Sequence, residues 1–128
     1  MRRSVLDTNV LLRFFIGDHA EHQEAARTLF AEAEKGKREC VVLPIVVAEA
    51  AFVLESVYKQ SRTAIADTFE ILLSQRWLDV LERDILLHAI GEYRTGEHFV
   101  DCYLAAWSEL EHAELVTFDR KLKKRTRK

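Results

Sequence analysis

Cys40-Val41-Val42-Leu43-Pro44-Ile45-Val46-Val47-Ala48-Glu49-Ala50-Ala51-Phe52-Val53-Leu54 is the stretch on which the fold turns. Its first four residues are wholly apolar and rich in β-branched side chains, with no polar alternation. That pattern suits a short strand covered on both faces. Pro44 then stands where the first turn of a helix can use it, because a backbone N–H is not needed there. From Ile45 onward the 3.6-residue pattern continues to Tyr58. A strand running directly into a helix is the building unit of a parallel sheet, since parallel strands can be joined only by long crossovers.

Outward from this stretch the same unit recurs. On the N-terminal side, residues 4–7 read as a strand and 8–16 as a helix, broken at Gly17-Asp18. Asp18 looks like the N-cap of a second helix over 19–35, which sets Ala26, Leu29, Phe30 and Ala33 at helical spacing and stops at Gly36. On the C-terminal side, Ser61 caps a helix over 62–75, and 77–81 alternates as a strand does. Helices over 84–93, ending near Gly96, and over 99–111 follow. Leu115-Val116-Thr117-Phe118 reads as a last short strand. The order βαα, βαα, βαα, β predicts an α/β fold: a parallel sheet with right-handed crossovers and helices on both faces.

The chain has 128 residues, 48% hydrophobic and 31% charged, enough for one domain with a real core and too balanced for a disordered chain. One Pro, four Gly and no repeat or low-complexity tract leave no linker, so residues 1–128 are expected to form a single domain. The longest apolar stretch is interrupted by Pro44 and Glu49 and falls short of a membrane span. With no signal-peptide pattern after Met1-Arg2-Arg3, a cytoplasmic protein is expected, and in that reducing setting Cys40 and Cys102 are expected to be free thiols. The formal charge of -2 conceals an asymmetry. Residues 120–128 hold seven of the 19 basic side chains, leaving 12 against 21 acidic ones elsewhere. Such a basic tail at about 120–128 can pair with phosphates and release counterions, or can simply be a solvated terminus.

In open α/β sheets, ligands bind beyond the carboxyl ends of the strands. Four carboxylates fall at that predicted edge. Asp7 ends the first strand, Glu49 lies one turn into the helix after the second, Asp101 begins the helix before the last strand, and Asp119 directly follows that strand. Glu49 is expected to face inward, since it shares a helical stripe with Ile45, Val46, Phe52 and Val53. Asp7 is expected at the end of a central, covered strand. Several carboxylates gathered without cations repel one another, an objection that a divalent cation removes. Hard oxygen donors without Cys or a convincing His pair point to Mg²⁺ or Mn²⁺ rather than zinc. Phosphodiester hydrolysis is the chemistry such a site supports. Each residue also has an ordinary explanation: Asp7 and Asp101 as helix caps, Asp119 as a turn residue, Glu49 as the partner of an inward Arg or Lys. His19 and His22, three apart on a predicted helix, sit among Glu21, Gln23 and Glu24 and read as a solvated face. No Gly-rich phosphate loop or Gly-x-Ser-x-Gly elbow is present.

Asp7-Thr8-Asn9-Val10-Leu11-Leu12, the Glu49 helix after Leu43-Pro44, Phe99-Val100-Asp101-Cys102-Tyr103-Leu104-Ala105-Ala106 and Thr117-Phe118-Asp119-Arg120-Lys121-Leu122 occur in an order and at spacings that resemble the PIN-domain family, in particular its VapC-type toxins. The resemblance covers essentially the whole chain. It implies a three-layer α/β/α fold whose central parallel sheet has four strands, or five where the chain continues further. It also implies an acidic pocket for Mg²⁺ or Mn²⁺ formed by Asp7, Glu49, Asp101 and Asp119, with Asn9 beside the first Asp and Thr117 lining the same pocket. The activity implied is endonucleolytic cleavage of RNA, in a homodimer held inactive by a cognate antitoxin. The alternative is a non-catalytic module of the same fold that binds RNA or protein.

Overall fold

The computed structural model describes residues 1–125, with the backbone alone for Arg125; the end of the basic tail, 126–128, lies outside the described residues. The elements are β1 (Arg2–Val5), α1 (Thr8–Leu12), α2 (Ala20–Glu34), β2 (Arg38–Val42), α3 (Pro44–Ser56), α4 (Arg62–Leu73), β3 (Leu78–Val80), α5 (Arg83–Tyr93), α6 (Phe99–Leu110) and α7 (Arg120–Arg125). The strand into helix at Val42-Leu43-Pro44 forms as expected, with Pro44 in the first turn of α3. Ser61 caps α4, its Oγ accepting the Ala64 N–H at 3.1 Å. Gly36 and Gly96 follow α2 and α5 at φ +77° and +109°, the left-handed region glycine occupies without strain. Asp18 does not cap α2. His19 does, its Nδ1 accepting from the His22 N–H at 3.1 Å, while Asp18 turns to Arg13.

The three strands are all parallel, in the order β1-β2-β3. Val5 lies beside Val41, and Cys40 beside Leu78. β2 is central, and its Cys40, Val41 and Val42 are buried. The core joins these residues to one flank of each long helix, with Leu54, Ile65, Phe69, Leu73, Leu86, Ile90 and Tyr93 at its centre. Both cysteines are free and buried.

Two expectations about the sheet are corrected. The fourth strand, 115–118, does not form among the described residues. The run keeps a strand's alternation, with Leu115 and Thr117 half-buried, but Val116 and Phe118 stand 81% and 102% exposed. β propensity measures fit to a pleated, half-buried surface, and here one side of the run meets only water. As a result β1 is an edge strand, not a central one: Val5 is 63% exposed, and Arg3 reaches across the sheet to Glu39 and Asp79 at 3.0 Å each.

Candidate active site

The site is built at the ends of elements. β1 gives way to α1 at Leu6-Asp7, where the buried Leu6 anchors the chain and its N–H donates to the Val41 carbonyl at 2.9 Å. Asp7 follows in extended conformation and caps α1, its Oδ1 accepting the Val10 N–H at 3.0 Å. Asp119 has the same role at α7: its Oδ1 accepts from the N–H groups of Lys121 and Leu122 at 2.9 and 3.1 Å. Its own N–H donates to Thr117 Oγ1 at 3.0 Å, so Thr117 fixes the approach to the cap. Leu122, 5% exposed, pins α7 and its row of basic side chains to the body. Asp101, also expected as a cap, instead stands inside the first turn of α6 with His98 at the cap position, and Asp119, expected as a turn residue, proves to be a cap; capping is the role seen at Asp7 and Asp119. It engages only one oxygen of each carboxylate, and among the described residues Oδ2 of Asp7 and of Asp119 has no partner.

Glu49 requires a correction. It does share a face with Ile45 and Phe52, but that face is the outer one, with Ile45 73% and Phe52 70% exposed and Glu49 itself exposed. The buried stripe of α3 is Val47, Ala50, Ala51 and Leu54. Asp101 lies in the first turn of α6, half-buried, where the helix dipole favours a negative charge.

Helix contacts link these positions. α1 packs on α3, α3 meets α6, and α6 meets α7. A cleft of about 170 Å³ opens between α3 and the start of α6, and Ala48 and Val100, the neighbours of Glu49 and Asp101, are in its wall. Arg62 stiffens that wall. Its guanidinium donates to the Tyr93 and Glu97 carbonyls at 3.0 and 2.5 Å, lies 4.4 Å from the Tyr93 ring centre and pairs with Glu55. Burial and then the hydrogen bond to Glu55 push the Tyr93 phenol far above its usual range. A second pocket, of about 320 Å³, adjoins Asp7 and Asn9. Asn9 is exposed at its rim.

Ten ion pairs among the described residues engage acids elsewhere on the surface, yet none engages Asp7, Glu49, Asp101 or Asp119. The four carboxylates, at the starts of α1, α6 and α7 and within α3, thus stand without a compensating cation among the described residues. Their donor chemistry, all hard oxygen with both thiols buried, suits Mg²⁺ or Mn²⁺. As the side chains stand, however, no three His, Cys, Asp or Glu among the described residues converge to hold a metal ion.

Sequence reasoning missed Arg13, which is 8% exposed. Its guanidinium donates to Asp18 at 2.7 Å and to the Asn9 carbonyl at 3.3 Å, and its carbonyl accepts from Gln23 at 2.8 Å. The signal was an Arg inside the apolar run Leu11-Leu12-Arg13-Phe14-Phe15.

The PIN domain model matches residues 4–128 of this parallel α/β chain: the chain belongs to the PIN domain family. Within that family it is of the VapC type, being 31% identical over 123 residues to the VapC ribonuclease of Aquifex aeolicus (strain VF5), a match that covers 94% of this chain and 90% of that protein. No solved structure matches the chain.

Proposed function

We propose that this protein is an endoribonuclease that hydrolyses RNA phosphodiester bonds with Mg²⁺ or Mn²⁺, acting as the toxin of a type II toxin–antitoxin pair. The observation that carries this reading is that four carboxylates of a PIN domain, Asp7, Glu49, Asp101 and Asp119, engage no ion pair among the described residues. The ribonuclease named VapC in Aquifex aeolicus supports the choice of RNA as substrate.

The four carboxylates would hold the cation, which when bound supplies charge stabilisation at the attacked phosphate and an activated water. The caps leave Oδ2 of Asp7 and Asp119 for this purpose while Oδ1 holds each carboxylate in place. Glu49 is exposed, so joining the other three at a cation would require rearrangement of side chains rather than of the core. Thr117 positions Asp119 by accepting the Asp119 backbone N–H at its Oγ1. Lys121, Lys123 and Lys124 on α7 would draw the RNA backbone to this edge.

The protein would work in the cytoplasm as a single domain and a homodimer, with a cognate antitoxin covering the acidic edge. No helix among the described residues is long and apolar enough to cross a membrane. Ile45 and Phe52 on α3, with Val100 and Leu104 on α6, form an exposed apolar surface that a second copy would bury. A stable monomer at micromolar concentration in sedimentation would remove the dimer.

The test is cleavage of a structured RNA pool by the purified protein with Mg²⁺ or Mn²⁺, against EDTA and against Asp7→Asn and Asp101→Asn. Metal-dependent cutting that falls by about a thousandfold in both folded variants is expected, because several kcal/mol of transition-state stabilisation would be lost. One observation favours the second reading, a binding module: no three carboxylates converge. RNA binding by wild type with no cutting under any metal would establish that reading instead.

A further inference from the structure

The pocket of about 320 Å³ beside Asp7 has no part in the carboxylate chemistry, yet it shares a wall with it. Val10, Ala25, Ala26 and Leu29 give it an apolar lining between α1 and α2, and Asp7, Asn9, His22 and Arg13 complete it. Its volume is at the lower end of what holds a small organic ligand, roughly 300–1,000 Å³, so one nucleoside fits and a longer segment does not.

We propose that this pocket receives a nucleobase of the RNA next to the scissile phosphate, and that Asn9 and His22 determine which base is accepted. This rests on the ribonuclease reading above. Charge decides that a base enters and not a phosphate. The one cation in the lining, Arg13, is already neutralised by Asp18 at 2.7 Å, and Tyr58 donates to the other oxygen of Asp18 at 3.1 Å. Nothing else in the lining is an obligate cation, while the Asp7 carboxylate repels an anion at the rim. A neutral, planar, largely apolar group with a hydrogen-bonding edge meets the opposite conditions. The apolar wall accepts its faces, and the exposed Asn9 carboxamide offers both a donor and an acceptor to its edge. His22 contributes an aromatic ring, stacked on His19 with ring centres 3.6 Å apart. Single-stranded RNA is commonly read this way, with a splayed base placed against aromatic side chains and read along its edge. Because Asp7 belongs both to this pocket and to the carboxylate set, a base held here sets the register of the neighbouring phosphodiester against the site of hydrolysis.

The test has two arms on the full chain. In the first, the methyl resonances of Val10, Ala25 and Leu29 are followed while each of the four nucleoside 5′-monophosphates is added. Shifts confined to these methyls are expected, stronger for one base than for the others, and lost in Ala25→Leu, which fills the pocket from an exposed position, and in His22→Ala. Absence of any shift at millimolar nucleotide overturns the pocket, whatever the protein cuts. In the second arm, ends are sequenced after cleavage of a randomised RNA pool. Wild type is expected to prefer one base beside the cut, and Ala25→Leu and His22→Ala to reduce that preference by about ten-fold, the loss that follows from one stacking contact. Preference retained in both variants overturns the proposal and leaves the ribonuclease standing. Base binding without cleavage sinks the ribonuclease and leaves the base pocket standing.

Discussion

The α4–α5 body and the edge that carries the four carboxylates treat charge in opposite ways. In the body every inward-reaching arginine is matched. Arg83 donates to the carbonyls of Leu73, Gln75 and Leu78, the last two at 3.0 and 2.6 Å, tying the end of α4 to β3. Arg94 joins α5 to α4 through Glu70 at 3.1 Å and Asp67 at 2.7 Å. At the edge, Asp7, Glu49, Asp101 and Asp119 have no cation among the described residues. The body uses its charges to close carbonyls and helix seams, whereas the four carboxylates have no ion-pair partner among the described residues. Charge pairing and the proposed cation binding thus fall to different residues, and mutations should separate them.

The sharpest way to break this comparison is at Arg83. Arg83→Ala leaves three carbonyls without their donor and is expected to cost about 3 kcal/mol in urea unfolding, because hydrogen bonds to charged groups are the stronger kind and the abandoned acceptors are partly shielded from water. A loss under about 1 kcal/mol would mean that water replaces the clamp easily. At Asp7 the effect should be smaller and depend on the substituent. Asp7→Ala removes the cap from α1 and should cost about 1 kcal/mol, whereas Asp7→Asn keeps a capping oxygen and should cost little. Glu49→Gln, which breaks no pair, should change stability by less than about 0.5 kcal/mol or raise it, and Asp101→Asn, which loses only the favourable interaction with the α6 dipole, should cost about 0.5 kcal/mol. A clear destabilisation by either would show that the edge charge has a structural partner.

These contrasts also explain what was legible in the chain. The strand 40–42 and the helix opened by Pro44 were readable because both signals are local: β-branched residues at strand length, then a proline at a first turn. The run 115–118 has the same local strand signal and no ladder, because pairing is settled by distant chain. Glu49 was placed on the correct stripe and the wrong side. α3 is apolar nearly all round, so Ile45, Phe52 and Val53 form as plausible an inward stripe as Val47, Ala50, Ala51 and Leu54, and only the neighbours of α3 decide between them. The four carboxylates were singled out by their place in the expected βα order, while the pocket beside Asp7 draws its lining from two helices and leaves no motif.

The smallest effect is on acid stability. Arg13 holds the Asp18 carboxyl below its ordinary value of 3.8, mainly by hydrogen bonding. A carboxylate lowered in the folded state contributes stability that is present above its unfolded pKa and lost as pH falls through the folded one. Wild type should therefore lose melting temperature below about pH 4 more steeply than Asp18→Asn, which has no charge at this position to lose. Parallel acid limbs would show that the exposed Asp18 carries no such linkage.

The most direct test of the central claim, that the unpaired carboxylates form one cation site, is thermal melting with and without Mn²⁺ in wild type, Asp7→Asn and Asp101→Asn. A ligand that binds the folded state alone at a hundred times its dissociation constant adds about 2.7 kcal/mol. The account predicts a rise in wild-type melting temperature with Mn²⁺ that disappears in both variants, while their melting without metal stays close to wild type. Equal indifference of all three proteins to Mn²⁺, or an undiminished rise in the variants, would contradict it.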